Sequence, residues 1–220
     1  MFIDFHVHSK YSFDCFLEPI EIINRMRLHG IDGFAVTDHD TIAGYAEFKK
    51  LSSDLYIICG EEISTEQGDI VGLFLKEEIR PCRDALKVIQ EIKDQGGLAV
   101  LAHPYKWPHL FRGDVFLKQI DCLEVFNARN NIPFPYIENS LAKKAVERLG
   151  LAQVAGSDAH EGFEIGNAAT IFNFSSDTAS DEKLKDTILK RDVKITGQEV
   201  PLVQEVISHF SRNYKARLHL

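Results

Sequence analysis

Phe2-Ile3-Asp4-Phe5-His6-Val7-His8 opens the chain as an apolar run ending in two histidines two residues apart. Side chains alternate faces along a strand, so a strand over residues 2–7 turns His6 and His8 to the same side. Two neighbouring imidazoles at a strand end make good metal ligands and poor core.

Outward from this strand, short apolar runs alternate with helical patterns. Strands are expected at 2–7, 33–37, 55–59, 70–75, 98–102, 122–126, 152–155 and 170–173. Helices are expected at 19–29, 42–51, 83–95, 136–149 and 181–190, with a last one near 202–214. Pro19 stands where a first-turn proline belongs, and Gly30, Gly96-Gly97 and Gly150 follow helices as stops. The alternation predicts an α/β domain with a mostly parallel sheet. Seven or eight strands at this spacing fit a closed barrel at least as well as an open sheet. No G-x-G-x-x-G follows the first strand, which counts against a dinucleotide fold.

Polar residues gather where the strands end. His6 and His8 end the first; Asp38-His39-Asp40 the second; Gly60-Glu61-Glu62 the third. His103-Pro104, Asn127-Ala128-Arg129 and Gly156-Ser157-Asp158-Ala159-His160 end three later ones. The carboxyl ends of parallel strands share one face, which carries the site in such folds. The convergence of six strand ends is stronger than any one motif.

Composition sets outer bounds. The 220 residues are 45% hydrophobic and 26% charged, ordinary for a soluble globular chain. No run approaches the ~18 apolar residues of a membrane span, and no signal-peptide pattern opens the chain, so a cytoplasmic location is expected. A net charge of -8 argues against a broad surface for duplex nucleic acid. Small phosphorylated partners stay open, because bound cations reverse the local sign. Cys15, Cys59, Cys82 and Cys122 form no C-x-x-C pair and suit reduced, packed thiols.

Histidine and carboxylate donors without cysteine suit Zn²⁺, Mn²⁺ or Fe²⁺. The candidates are His6, His8, Asp14, His39, Glu62, His103, Asp158 and His160. Eight donors exceed one ion's needs and imply two or three metals, with a carboxylate such as Glu62 bridging. Clustered metals suit phosphate-ester hydrolysis. Asp38 and Asp40 are expected as helix-start groups or as groups orienting His39, and Glu61 as a supporting or exposed carboxylate.

The ordered series His6-Val7-His8, Thr37-Asp38-His39-Asp40, Gly60-Glu61-Glu62-Ile63-Ser64, Ala102-His103-Pro104 and Gly156-Ser157-Asp158-Ala159-His160 resembles the polymerase and histidinol phosphatase (PHP) domain family. The resemblance runs from residue 3 to about residue 172. It implies a distorted (β/α)7 barrel over residues 1–220, with a C-terminal helix near 199–215 packed on it. It implies a two- or three-metal centre and phosphoesterase chemistry by metal-activated water on a small metabolite, nucleotide or short oligonucleotide. The family pattern makes the same eight residues ligands, Asp14 standing where some relatives have histidine. Asp69 precedes a strand where many relatives carry histidine, either as a replacement ligand or as a turn residue. Whether it ligates decides between two metals and three.

Arg129 is the best candidate for a phosphate clamp, with Lys10 and Lys106 behind it. Asp158 is a candidate for deprotonating water, and His160 or His39 for protonating the leaving group. Trp107, Phe134 and Tyr136 are available to stack a base, and Asn130-Asn131-Ile132-Pro133 to offer amide contacts. An amidohydrolase-like barrel acting on C–N bonds also begins with H-x-H but usually needs a mid-barrel bridging lysine, where this chain has Glu62. A metal-holding module without chemistry is the third reading.

Overall fold

The computed structural model describes residues 1–106, 113–129 and 137–218. The elements run β1 (Phe2–Val7), α1 (Pro19–Leu28), β2 (Gly33–Val36), α2 (Gly44–Leu51), β3 (Tyr56–Thr65), β4 (Gly68–Leu73), α3 (Ala85–Asp94) and β5 (Leu98–Leu101). They continue with α4 (Asp114–Leu117), β6 (Cys122–Asn127), α5 (Ile137–Leu149), β7 (Ala152–Gly156), β8 (Ala168–Ile171), α6 (Asp181–Leu189), β9 (Lys194–Gly197) and α7 (Leu202–Leu218). The expected punctuation is present: Pro19 opens α1, and Gly30, Gly96 and Gly150 all take positive φ after helices.

The strands form one sheet in the order β7-β6-β5-β4-β3-β2-β1-β8-β9. It curls until the segment after β7 meets β1. There His8 N–H donates to the Ala159 carbonyl at 3.1 Å and Asp158 N–H to the His6 carbonyl at 2.8 Å. The Asp4 carboxylate, buried between the two, accepts the Ser157 N–H at 2.9 Å. The result is a nearly closed barrel-shaped sheet.

The sheet is mixed, against the expectation of a mostly parallel one. β1–β2, β2–β3, β5–β6 and β6–β7 pair parallel, whereas β3–β4, β4–β5, β1–β8 and β8–β9 pair antiparallel. The cause lies in β3, which does not stop at Cys59. It runs to Thr65, and Gly68 at φ +108° returns the chain as a hairpin without a helix. β9 was not legible: Lys-Ile-Thr-Gly is a mostly exposed edge strand with no apolar alternation.

Opposite strand faces feed two kinds of core. Ile3, Phe5, Ala35, Ile58, Val71, Val100, Cys122 and Val154 pack together inside the sheet, with Leu184 and Ile188 of α6 joining them. Outside, α1 and α2 lay Ile22, Ile23, Met26 and Phe48 on Val7, Phe34 and Val36. Helices α3 and α5 cover Ile70, Leu101 and Leu123 with Val88, Ile92, Ala142 and Val146. Each fully buried aliphatic or aromatic side chain contributes about 1.5–3 kcal/mol.

Two bulges aim polar side chains into the barrel. Asp4 pairs with Phe34 and Val7 with Val36, so Phe5 and His6 together oppose Ala35. Phe5 stays in the apolar interior while His6, and His8 after it, turn into the mouth. In β6 a like shift lies between Glu124 and Phe126, so Glu124 and Asn127 come to the same side and bond at 3.0 Å.

α7 lies across the mouth with an unexpected face inward. Leu202, Val206 and Phe210, the apolar stripe readable in the sequence, are 61%, 42% and 69% exposed. Glu205, Ser208 and Lys215 are the buried residues. The mouth offers charged groups, so the helix satisfies them with its polar stripe.

Gly156 shows how tightly the mouth is drawn. A Cβ there would fall 2.2 Å from His6 Cβ and 2.5 Å from Glu124 Oε1. Gly156→Ala is therefore expected to cost about 1–3 kcal/mol in denaturant unfolding and to reduce metal uptake, because His6 must move. Unfolding midpoints and metal content equal to those of the parent would contradict this packing.

Candidate metal centre

Glu62 lies on β3 well before its end, facing the interior, with its backbone clamped by Glu62 N–H to the Asp38 carbonyl and Asp40 N–H to the Glu62 carbonyl. Its Oε2 is 3.4 Å from His6 Nε2, 3.2 Å from His8 Nε2 and 3.1 Å from His39 Nδ1. Its Oε1 is 3.2 Å from His103 Nε2. One carboxylate thus touches four imidazoles. Asp158 Oδ1 adds contacts of 3.4 Å to His8 and 3.5 Å to His160. Asp14 reaches His39 Nε2 at 3.5 Å and His160 Nε2 at 3.3 Å. Asp69 Oδ2 is 3.8 Å from His103 Nε2, while its Oδ1 accepts the Ser64 hydroxyl at 2.7 Å. All nine sequence candidates for ligation therefore converge on one mouth, Asp69 at its rim.

Two of these residues sit on left-handed backbone, His103 at φ 27° and Asp158 at φ 54°. Such conformations cost about 1–3 kcal/mol each for a non-glycine residue and persist where surrounding bonds fix them. Here His103 N–H donates to Glu124 Oε2 at 2.7 Å and Asp158 N–H to the His6 carbonyl at 2.8 Å.

Supporting groups choose which ring nitrogen faces the centre. His6 Nδ1–H donates to Glu124 Oε1 at 3.1 Å, leaving Nε2 inward. His8 Nδ1 is 3.0 Å from Ser12 Oγ, which donates to Asp38 Oδ1 at 2.9 Å. Asp38 therefore orients His8 through Ser12, where the sequence suggested His39. Asp40 is exposed and contacts the site only through its backbone. Glu61 faces away from the mouth and accepts the Ile79 N–H at 2.8 Å; burial pushes its carboxyl up to about 7. Glu124, Ser12 and Glu164 were missed. Only the bulges and loop turns bring them in, and no spacing in the sequence announces those.

Arg129 departs from the expected clamp. Its guanidinium is buried, with Nε 3.0 Å from Glu164 Oε1 and Nη1 3.6 Å from Asp158 Oδ1. Nη1 also donates to the Asp158 carbonyl at 3.2 Å, and Nη2 lies 3.8 Å from Glu205. These partners occupy the fork internally, where it holds the Asp158–His160 segment. Lys106 is the more accessible cation, its Nζ 3.7 Å from Asp158 Oδ2 and its side chain 26% exposed. Lys10 pairs outward with Glu18 and Glu47. Trp107, Phe134, Tyr136 and the Asn130–Pro133 run lie outside the described residues. Phe13, unremarked in the sequence, is half-exposed and stacks on His39 with centroids 4.9 Å apart.

The charges are set by burial working against close partners. Burial raises Glu62 and Asp158, but His6 and His39 around the first, and Lys106, His6 and Arg129 around the second, hold both well below the usual carboxylate range. Burial likewise raises Asp14, and His160 and His39 outweigh it. Burial lowers His6 and His8, yet Glu62 with Glu124 lifts the first, and Asp158 with Glu62 the second. His160 goes the other way: burial and then the His8 and Arg212 charges lower it.

The donor set fits divalent cations. Among the described residues, His6/His8/Asp158, His6/Glu62/His103 and His8/His39/His160 each bring ligand atoms within 4.8 Å of one another. Asp14 Oδ1 and His160 Nε2 are buried without a hydrogen-bond partner. Buried donors left open in this way are what a cation would satisfy.

The sequence profile of the PHP domain matches residues 4–147. The chain belongs to the PHP family. A second profile, described as PHP-associated, matches residues 136–193. The chain is 38% identical over 161 residues to an uncharacterised protein of Methanocaldococcus jannaschii, covering 64% of this chain and 94% of the relative. A two-domain protein of Bacteroides vulgatus, described as containing a predicted PHP-like metal-dependent phosphoesterase, superposes with a TM-score of 0.73 at 17% identity. That match covers 96% of this chain and 69% of the other. A provisionally assigned metal-dependent phosphoesterase of Bifidobacterium adolescentis gives 0.61 at 19% identity, covering 92% and 98%. At these identities the two structures establish the PHP fold. The family, the fold and the clustered donors together mark a PHP domain with a candidate site for divalent cations.

Protons and metal ions compete for the same imidazoles. In the metal-free state, raised His6 and His8 contribute stability below about pH 6.5 that fades as pH rises through their folded values. Lowered Glu62, Asp14 and Asp158 contribute above about pH 4 and lose it as pH falls through theirs. Mn²⁺ binding at about pH 7 is therefore expected to release protons and to weaken as pH drops toward 6. Calorimetric titration in two buffers of different ionisation enthalpy measures the release; a buffer-independent heat would contradict protonated His6 and His8 in the metal-free state.

Proposed function

We propose that this chain hydrolyses the phosphate ester of a small phosphorylated metabolite, a nucleotide or a short oligonucleotide, using two or three Zn²⁺, Mn²⁺ or Fe²⁺ ions in the cytoplasm. The supporting observation is the sharing of His6 and His8 by overlapping donor groups in one buried mouth, with Glu62 against both. His6, His8, Asp14, His39, Glu62, His103, Asp158 and His160 would hold the ions, with Asp69 at the edge. Bound there, the ions would lower the pKa of water and neutralise phosphoryl oxygens.

The chain's own residues do the rest. Glu62 spaces the imidazoles, with one oxygen toward His103 and the other toward His6, His8 and His39. Glu124 and the Ser12–Asp38 pair hold His6 and His8 with Nε2 inward. Arg129 and Glu164 fix the Asp158–His160 segment, so Asp158 keeps a defined carboxylate for orienting or deprotonating water. Lys106 meets the incoming phosphate. Its charge, with that of the ions, admits an anion to a protein of net charge -8. Glu62 stands where the C–N-hydrolysing barrels considered above would want a lysine, which favours phosphoesters.

The direct test is hydrolysis of p-nitrophenyl phosphate with added Mn²⁺. His6→Ala and Asp158→Ala should each lower kcat/KM at least ~100-fold, about 2.7 kcal/mol of transition-state stabilisation. Undiminished activity in both would sink the assignment. A screen of histidinol phosphate, 3′,5′-bisphosphonucleosides and short oligonucleotides then separates the substrate classes. A chain that binds one metal or none and hydrolyses nothing would favour the non-catalytic reading.

Lys106 and Arg129 separate by a second comparison. Lys106→Ala should raise KM about tenfold with metal content unchanged. Arg129→Ala, which leaves buried Glu164 without its partner, should lower stability by about 3–5 kcal/mol. A raised KM at parental stability for Arg129→Ala would restore that residue to the phosphate.

A further inference from the structure

The inward stripe of α7 reaches groups that touch candidate ligands. Glu205 lies beside Arg129, and Lys215 Nζ donates to the carbonyls of Lys10, Ser12 and Cys15, on both sides of Asp14. Between these contacts, Arg212 Nε donates to Asp14 Oδ2 at 2.7 Å.

Asp14 needs such a hold more than any other candidate. It sits in the loop between β1 and α1, away from any strand ladder. Its side chain is 3% exposed. Its Oδ2 takes the Arg212 bond, and its Oδ1, with no hydrogen-bond partner, lies 3.5 Å from His39 Nε2. The facing His160 Nε2, 3.3 Å from Oδ2, is also without a hydrogen-bond partner. The carboxylate is therefore held from outside at Oδ2 while both its oxygens face imidazoles of the cluster. This is the division of labour by which outer groups orient metal-binding carboxylates.

We propose that Arg212 is a positioning residue for the metal position framed by Asp14, His39 and His160, so that the last helix governs how firmly one ion is kept. This rests on the metal-dependent reading above. The guanidinium fixes the Asp14 rotamer, and Lys215 fixes the backbone that carries it. Without Arg212 the carboxylate is free to rotate, and the position loses the hold that reaches Asp14 from α7.

The test is metal content per chain after equilibration with buffered Mn²⁺ and removal of excess, measured by mass spectrometry. Arg212→Ala is expected to retain about one ion fewer, or to hold the weakest ion about 10–100-fold less tightly. Arg212→Lys should recover part of the loss, and serves in place of Arg212→Ala if that variant does not fold. Phe210→Ser, on the outer face of α7, should keep the full complement. A full complement in Arg212→Ala overturns the proposal, and a raised KM alongside it would assign the guanidinium to substrate. A parent protein that binds no Mn²⁺, Zn²⁺ or Fe²⁺ overturns the functional reading itself, and shows this before any variant is made.

Discussion

The contact of one buried carboxylate, Glu62, with four imidazoles is the constraint around which the mouth is built. Each charge taken from water costs several kcal/mol unless opposite charges and hydrogen bonds replace the solvent. The barrel meets that cost by setting Glu62, Asp158 and Asp14 among imidazoles, with Glu124 backing His6 from behind. Without cations, protons on His6 and His8 supply the missing positive charge. A divalent ion can displace them without reorganising the carboxylates, because those are already ionised and already aimed.

Barrel geometry explains how so many polar groups reach one place without breaking the core. A regular strand would have alternated Ile3, Phe5 and Val7 against Asp4, His6 and His8 along its whole length. The bulge at Phe5-His6 lets Phe5 fill the interior and His6 enter the mouth one residue later. The β6 bulge does the same for Glu124 and Asn127. Left-handed turns at His103 and Asp158 then bend the chain as it leaves β5 and β7. These irregularities interrupt pairing and cost backbone energy. They sit where the sheet must change from packing apolar side chains to presenting charged ones.

Much of this was legible because it follows period and punctuation. The H-x-H spacing, the strand-end clustering and the stops at Gly30, Gly96 and Gly150 are local features, and they located the ligand candidates. The β3–β4 hairpin was not legible, since Cys59-Gly60-Glu61-Glu62 reads as a strand end until antiparallel pairing with β4 carries it on. Asp38 was read as a partner of His39, and it bonds Ser12 beneath His8; a loop conformation decides that, and spacing does not. Arg129 was read as a phosphate clamp because it follows β6 on the face where the strands end. Its carboxylate partners, Glu164 and Glu205, arrive from 35 and 76 positions away.

The same non-locality inverted the last helix. Leu202, Val206 and Phe210 mark an apolar stripe, and periodicity alone would press that stripe onto the barrel. The barrel mouth, however, presents Asp14, Arg129 and Glu164, together with backbone carbonyls of the 10–15 loop. Burying aliphatic side chains on those groups would strip their solvation and return no bonds. Glu205, Arg212 and Lys215 return bonds, so the polar face wins, and the apolar stripe stays in water. A helix held this way depends on the charge state of what lies beneath it. Arg212 grips Asp14 Oδ2 from the helix side while both carboxylate oxygens face imidazoles of the centre. The seating of the helix and the aim of a candidate ligand are therefore coupled through a single side chain.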